Sequence, residues 1–105
     1  MTDEHAVTVW LAKRGIPADV LALNASRLST GAKTYGPLSI DHDPRGRDFR
    51  KEAGEEAVDA LSYVAMHALQ LARSGVVDPS RYPSQALLDE LAALARYAVP
   101  LDLAA

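Results

Sequence analysis

The sequence predicts an all-α protein, a four-helix bundle in a single domain over residues 1–105, and three observations support this fold class. Alanine and leucine are abundant while aromatic residues make up only 6% of the chain, which favours helices over strands. Apolar residues recur at helical spacing in four segments that glycine and proline separate. No segment alternates apolar and polar residues in the way that a half-buried strand does.

The overall composition narrows the functional classes. Apolar residues make up 49% and charged residues 24%, the balance of a soluble globular protein. A formal net charge of −3 disfavours a general nucleic-acid-binding surface. The absence of cysteine excludes disulfides and thiolate metal sites and fits a reducing compartment. With neither a signal peptide nor a transmembrane span in the sequence, we expect a cytoplasmic protein that binds no membrane.

The first two helices are predicted on either side of Gly15. Residues 3–14 form the first, and its Trp10 is expected in a core or an interface. The second runs from Pro17, as the first helical residue, to about Tyr35, and it ends at 36–37, a Gly-Pro pair. Its apolar stripe consists of Val20, Leu21, Leu23, Asn24, Ala25, Leu28 and Ala32.

The third helix is predicted to be the longest. Asp48 is its candidate N-cap, it ends at about Ser74, and an alternative start lies at residues 43–44. Before it, residues 36–47 have the composition of a loop. The second half of the helix, residues 63–72, is apolar almost all round. Such a helix is buried on most sides, so we expect a second copy of the chain to cover it.

The fourth helix is predicted from its cap at Ser84 to about Ala98, after a loop over residues 75–83. Its core-facing side chains would be those of Leu87, Leu88, Leu91, Leu94 and Ala95. Residues 101–105 are expected to be loose.

The third helix carries four carboxylates in eight residues: Glu52, Glu55, Glu56 and Asp59. At about 100° per residue they share one face roughly 100° wide. Their mutual repulsion is unfavourable unless positive charge compensates for it. A hard cation, Mg²⁺ or Mn²⁺, would provide that charge. The alternative is a solvated face near a helix N-terminus, where the macrodipole favours carboxylates. His67, alone on an apolar helix, is interpreted as a core residue rather than a ligand.

Cations lie just before these acids in the sequence: Arg45, Arg47, Arg50 and Lys51. They could hold a phosphate chain. Arg27 and Lys33 on the second helix would contact an anion or complement the helix dipole. Acids, a metal ion and cations together fit hydrolysis of a phosphoanhydride by a metal-activated water.

Several elements in order resemble one enzyme superfamily. They are Arg27-Leu28, Gly31, residues 33–38 (KTYGPL), residues 41–48, and the acidic run followed by Ala60 and Tyr63. Over residues 17–74 the chain is similar to short phage and bacterial members of the MazG-like nucleoside triphosphate pyrophosphohydrolases, especially the dATP/dGTP-pyrophosphohydrolase-like branch. The resemblance implies an all-α fold that forms a homodimer or homotetramer, a Mg²⁺ site on acidic helices, and cleavage of a nucleoside triphosphate to the monophosphate and pyrophosphate.

The resemblance also assigns roles to residues of this sequence. Glu56 and Asp59 match the family's E-x-x-D ligand pair, and Glu52 and Glu55 fit the acids before it, so all four are candidate metal ligands and catalytic groups. Tyr35 or Tyr63 would stack on a base. The remaining substrate-binding candidates are the cations Arg27, Lys33, Arg45, Arg47, Arg50 and Lys51.

One departure from the family pattern leaves two other hypotheses open. The family carries an E-x-x-E pair on an earlier helix, whereas the second helix here has only one acid, Asp19. In the first of these hypotheses the chain is a non-catalytic helical module that senses a nucleotide or binds a protein. In the second it is a dimeric structural protein with a solvated acidic face.

Overall fold

The computed structural model describes residues 1–99, so the expectation that residues 101–105 are loose lies outside the described part of the chain. Over residues 1–99 the chain forms four α-helices, one short 3₁₀ helix and no strand. The all-α class is therefore confirmed. The described chain separates into two compact units, Met1–Gly46 and a second that begins at Arg47. The single four-helix bundle and its dimerisation stay predictions.

The first unit is built from a pair of helices, α1 (Asp3–Lys13) and α2 (Ala18–Tyr35), which pack against each other. The Thr2 hydroxyl caps α1 by accepting a hydrogen bond from the His5 amide at 3.1 Å. Gly15 follows α1 at a φ of 83°, a left-handed conformation that glycine adopts without steric cost. Pro17 is the N-cap residue of α2 rather than its first helical residue. Both predicted helices are thus confirmed to within one residue at each end.

Burial in the first unit differs from the expectation at the large side chains. Trp10 is 61% exposed, with the Arg14 guanidinium 5.7 Å from its ring centroid, so it does not belong to the core of this chain. On α2, Leu21 and Leu28 are half-buried while Val20 and Leu23 are exposed. The stripe predicted for α2 is therefore only partly covered within its own chain.

The second unit begins with α3, Phe49–Arg73. Its predicted N-cap is confirmed, because the Asp48 carboxylate accepts a hydrogen bond from the Lys51 amide at 3.2 Å. The alternative start at residues 43–44 is wrong. There the chain forms a turn closed by a 3.0 Å hydrogen bond from the Gly46 amide to the Asp43 carbonyl.

The loop after α3 leads to α4, Gln85–Ala95, and to a 3₁₀ helix, Arg96–Ala98. In the loop, the Asp78 carboxylate accepts hydrogen bonds from the Ser80 hydroxyl and amide, which lower the pKa of Asp78. The fourth helix was predicted to reach Ala98, but its last three residues tighten into the 3₁₀ form. The predicted cap is confirmed, since the Ser84 hydroxyl accepts from the Leu87 amide at 3.3 Å.

The core of the second unit is made of small residues. Gly54, Ala57 and Ala68 are the buried residues of α3, and α4 and the 3₁₀ helix pack on that helix. The second half of α3 is not buried within one chain, because Tyr63 and Met66 are 71% and 58% exposed, and its burial by a second copy stays a prediction. On α4, Leu88, Leu91 and Ala95 are half-buried while Leu87 and Leu94 are exposed.

None of the helices in the described part of the chain combines the length and the apolar character that crossing a membrane requires.

Candidate functional site

The acidic face is a continuous, solvent-facing strip on the first half of α3. All four predicted carboxylates are exposed. Gly54 and Ala57, which alternate with them in the sequence, are buried on the opposite side. The reason is helical geometry, because residues two apart point in directions about 160° apart. The structure therefore places Glu52, Glu55, Glu56 and Asp59 on one face of α3, and the opposite face of the helix is packed against the rest of the unit.

Only one of these acids has a cationic partner within the described residues. The Lys51 ammonium lies 3.7 Å from the Glu55 carboxylate, one turn away, and both side chains are more than half exposed. Such an exposed pair contributes little to stability. The carboxylates of Glu52, Glu56 and Asp59 form no hydrogen bond or ion pair with another residue in the range 1–99. Three adjacent carboxylates thus keep all their oxygen lone pairs available.

The donor set fits a hard divalent cation in chemistry but only partly in number. Among residues 1–99, no three His, Asp or Glu side chains are gathered closely enough to hold a metal ion together. A helix rises about 1.5 Å per residue, so Glu52 and Asp59 begin roughly 10 Å apart along its axis. Neighbours such as Glu56 and Asp59 could share one ion, whose remaining ligands would be water and phosphate oxygens, as is usual for Mg²⁺.

Arg50 is held by the backbone of residues 97–99. One of its guanidinium nitrogens donates to the carbonyls of Tyr97 at 3.0 Å and Val99 at 2.7 Å. The guanidinium carbon also lies 4.8 Å from the centroid of the Tyr97 ring. The N–H groups of the Arg50 guanidinium thus satisfy carbonyls that the short 3₁₀ helix leaves unpaired. The structure gives Arg50 a role in joining α3 to the C-terminal helices, and sequence spacing carried no signal of it.

We expect Arg50→Met to lower the free energy of unfolding by about 1 to 2 kcal/mol, because two charge-assisted hydrogen bonds to carbonyls are lost. Chemical denaturation followed by circular dichroism measures this change. Lys51→Met is the matched control, since among residues 1–99 the Lys51 ammonium makes only an exposed ion pair, and its effect should stay within about 0.5 kcal/mol. Equal losses in the two variants would contradict the anchoring role of Arg50.

The other candidate cations lie beside aromatic rings or are exposed on α2. The Arg45 guanidinium carbon lies 4.6 Å from the Tyr35 ring centroid, which brings two predicted substrate-binding residues together in the first unit. In the second unit the Arg47 guanidinium carbon lies 5.2 Å from the Phe49 ring centroid. Arg27 and Lys33 are both exposed on α2 but point from faces about 120° apart. These two side chains therefore do not converge on one anion.

Tyr63 and His67 follow Asp59 along α3 at steps of four residues. Tyr63 is exposed and no side chain of the described part stacks on it, so its ring is available for contact. The His67 ring meets the Tyr82 ring edge to face, with centroids 6.2 Å apart. His67 is exposed, so the interpretation of His67 as a core residue is wrong for the single chain.

A second polar feature, in the first unit, was not predicted. Acids at the start of α1 bind the loop after α2: Glu4 accepts from the Leu38 amide at 2.6 Å, and Asp3 accepts from the Ile40 amide at 2.7 Å. Beside these contacts α1 and α2 enclose an open concavity of about 480 Å³ lined by Thr2, Glu4, His5, Thr8, Ala25, Leu28, Ser29, Ala32 and Pro37. Acids in the first turn of a helix are already accounted for by the helix dipole, so this second role of Asp3 and Glu4 could not be predicted from the sequence.

No family model matches the sequence, and comparisons with curated proteins and with solved structures found no significant match.

Proposed function

We propose that the protein is a metal-dependent hydrolase that converts a nucleoside or deoxynucleoside triphosphate to the monophosphate and pyrophosphate, a role in control of the nucleotide pool. The observation that carries this proposal is the set of unpaired, exposed carboxylates at Glu52, Glu56 and Asp59. Three neighbouring negative charges with no cation are unfavourable unless a ligand neutralises them, and their oxygens are the donors that Mg²⁺ and Mn²⁺ prefer.

The reaction proposed at this face is attack of water on the α-phosphorus of the nucleotide. The oxygen of a water molecule bonds to the α-phosphorus as the bond to the oxygen bridging the α- and β-phosphorus breaks, which releases pyrophosphate. A bound Mg²⁺ would acidify the water and neutralise phosphate charge. Glu56 and Asp59 would hold the cation, and Glu52 or Glu55 would accept the proton from the water. Lys51, beside Glu55, is the nearest cation on α3 for a phosphate oxygen.

One further residue supports a nucleotide rather than a bare phosphate. Tyr63 presents an unstacked ring on the same side of α3 as the acids, about 40° from Asp59 around the helix axis. Its 71% exposure leaves the ring free to stack on a base, an interaction that tolerates any nucleobase. Acids and aromatic ring in one line along a helix fit a ligand with a polyphosphate at one end and a base at the other.

The test is chromatographic detection of nucleoside monophosphate and pyrophosphate after incubation with each common NTP and dNTP, with Mg²⁺, with Mn²⁺ and with EDTA. We expect the monophosphate and pyrophosphate in equal amounts from at least one nucleotide, and only when metal is present. Formation of the diphosphate and inorganic phosphate would assign a different bond. Absence of any product from every nucleotide and both metals would reject the proposed activity.

A second candidate function is supported by two observations. No three acidic side chains converge among residues 1–99, and α2 has only Asp19 as an acid, so the face could bind without catalysing. The chain would then be a nucleotide-sensing module or a protein-interaction module. Calorimetry that detects Mg²⁺-nucleotide binding, together with no turnover in the assay above, would favour sensing over hydrolysis.

A further inference from the structure

The open concavity in the first unit is built from one face of each of its two helices. On α1 it is lined by Glu4 and Thr8, one turn apart, and by the exposed His5. On α2 its lining residues recur at helical spacing: Ala25, Leu28, Ser29 and Ala32. At about 100° per residue, each set spans roughly 100° of its helix. The volume of about 480 Å³ is within the range of small-molecule binding sites, roughly 300 to 1,000 Å³.

Glu4 gives this cavity a negative charge that no lysine or arginine of the described lining neutralises. Its side chain is half-buried. Among residues 1–99 its carboxylate has one hydrogen bond, from the Leu38 amide at 2.6 Å, and no ion pair, although the ionisable His5 also lines the cavity. A carboxylate that is partly removed from water costs free energy unless a positive charge lies beside it. The cavity therefore favours a cationic occupant.

The hydroxyl groups of the lining suit the same kind of occupant. The Thr8 hydroxyl donates its proton to the Glu4 backbone carbonyl at 3.3 Å, so its oxygen presents lone pairs to the cavity rather than a proton. The Ser29 hydroxyl oxygen can also accept. An ammonium group carries three N–H donors and no acceptor, which matches a carboxylate flanked by hydroxyl oxygens. A phosphate or carboxylate ligand would instead meet the like charge of Glu4.

The rest of the lining is mainly apolar, and its members are Ala25, Leu28, Ala32 and Pro37. Hydrocarbon placed against these side chains is removed from water, which favours binding. We propose that the concavity binds a small organic monocation, with its ammonium group on the Glu4 carboxylate and a compact apolar body against α2. The acidic face of α3 contributes no residue to this cavity, so the proposal does not depend on the proposed hydrolysis.

The test is a titration of ¹⁵N-labelled protein with benzylamine at pH 7, where the amine is charged, followed by two-dimensional NMR. We expect saturable shifts at the amides of Leu38, Thr8 and Ala32, with a dissociation constant on the order of 1 mM. The Leu38 amide is the most direct reporter, because it donates to the Glu4 carboxylate. Benzyl alcohol, which has the same shape without the charge, should bind at least about tenfold more weakly, and benzoate should shift none of these amides.

Two neighbouring acids provide a variant and its matched control. Glu4→Gln removes the charge but keeps a carbonyl oxygen that can accept from the Leu38 amide, so the contact with the loop is retained. This variant should weaken benzylamine binding at least about tenfold. Asp3→Asn makes the same charge change one residue earlier. Asp3 also accepts from a loop amide, that of Ile40 at 2.7 Å, but it does not line the cavity, so Asp3→Asn should bind benzylamine within about twofold of wild type.

A second pair of variants tests the cavity itself without changing any charge. Ala25→Leu places a larger side chain in the lining, at an exposed position of α2, and should weaken benzylamine binding at least about fivefold. Ala22→Leu makes the same change at an exposed position of α2 outside the lining and should leave the affinity unchanged. Leucine is a good helix former, so both variants should retain the wild-type helix content by circular dichroism.

Four outcomes would overturn the proposal. Benzylamine at about 20 mM, well above the expected dissociation constant, could produce no saturable shift at the lining residues. Benzyl alcohol could bind as tightly as the amine, which would mean that the cavity does not recognise charge. Glu4→Gln could retain wild-type affinity, or lose no more than Asp3→Asn, so that binding would follow net charge alone. Shifts confined to the amides of α3 would place the amine on the acidic face instead.

Discussion

Glu56→Gln is expected to reduce metal-dependent pyrophosphate release by at least about a hundredfold while leaving the helix content unchanged. Glutamine keeps the shape and a carbonyl oxygen of glutamate but removes the negative charge. That charge attracts a divalent cation, and Glu56 has no other partner within residues 1–99. The measurement is the initial rate of pyrophosphate formation at saturating metal, on the nucleotide that wild type hydrolyses fastest.

Glu56→Gln should lower the activity without lowering the stability of the fold. Glu56 lies one turn from Glu52 and three residues from Asp59, so its removal relieves like-charge repulsion worth a few tenths of a kcal/mol per pair. The melting temperature of Glu56→Gln should therefore equal or slightly exceed that of wild type. A loss of activity without a loss of stability is the behaviour of a functional carboxylate, whereas a structural one would lose both.

The control for this prediction is Glu90→Gln. Glu90 is an exposed glutamate of α4, so the substitution makes the same chemical change away from the acidic face. Its rate should stay within about twofold of wild type. If Glu56→Gln retained the wild-type rate, or if Glu90→Gln lost as much, the acidic face of α3 would not be the site of hydrolysis.

The sequence predicted the helices well because their boundaries depend on local chemistry. Asp48 and Ser84 cap through hydrogen bonds to amides three residues ahead, and Gly15 and Gly75 end helices at positive φ. Each signal involves residues within one turn of the helix, so no knowledge of the rest of the chain is needed. The shared face of the four acids was predictable for the same reason.

Contacts between residues far apart in the sequence could not be predicted from such local signals. Periodicity identifies which residues share a face, but it cannot tell which face the next helix covers. On α3 the covered face carries Gly54 and Ala57, and the more apolar Val58 is left exposed. Arg50 was counted among the phosphate-binding cations because it precedes the acids, yet its guanidinium binds carbonyls 47 and 49 residues away. A sequence pattern contains no signal for such a contact.

Gly54→Ala is expected to lower the free energy of unfolding by about 2 to 3 kcal/mol, although alanine is normally the better helix former. A methyl group added at Gly54 would lie 2.6 Å from the carbonyl carbon of Tyr97 and 2.7 Å from the α-carbon of Ala98. Those atoms belong to the backbone, which cannot turn aside as a flexible side chain can. The 3₁₀ helix would have to move away from α3.

The chain contains a matched control for this substitution. Gly31 lies in α2, and a methyl group built there meets no heavy atom within 4 Å. Gly31→Ala should therefore raise the free energy of unfolding by up to about 1 kcal/mol, through helix propensity and a less flexible unfolded chain. Denaturant titration of the two variants measures opposite signs for one chemical change. Stabilisation by both would mean that the 3₁₀ helix does not rest on Gly54 in solution.

The same displacement should also be visible locally. Moving the 3₁₀ helix away from α3 separates the Tyr97 and Val99 carbonyls from the Arg50 guanidinium, which they now meet at 3.0 and 2.7 Å. Hydrogen exchange at the Val99 amide, which donates to the Arg96 carbonyl, should therefore quicken in Gly54→Ala. Gly54→Ala and Arg50→Met disrupt the same contact. The double variant should therefore lose less free energy of unfolding than the sum of the two single losses. Full additivity would show that Gly54 and Arg50 stabilise the second unit independently.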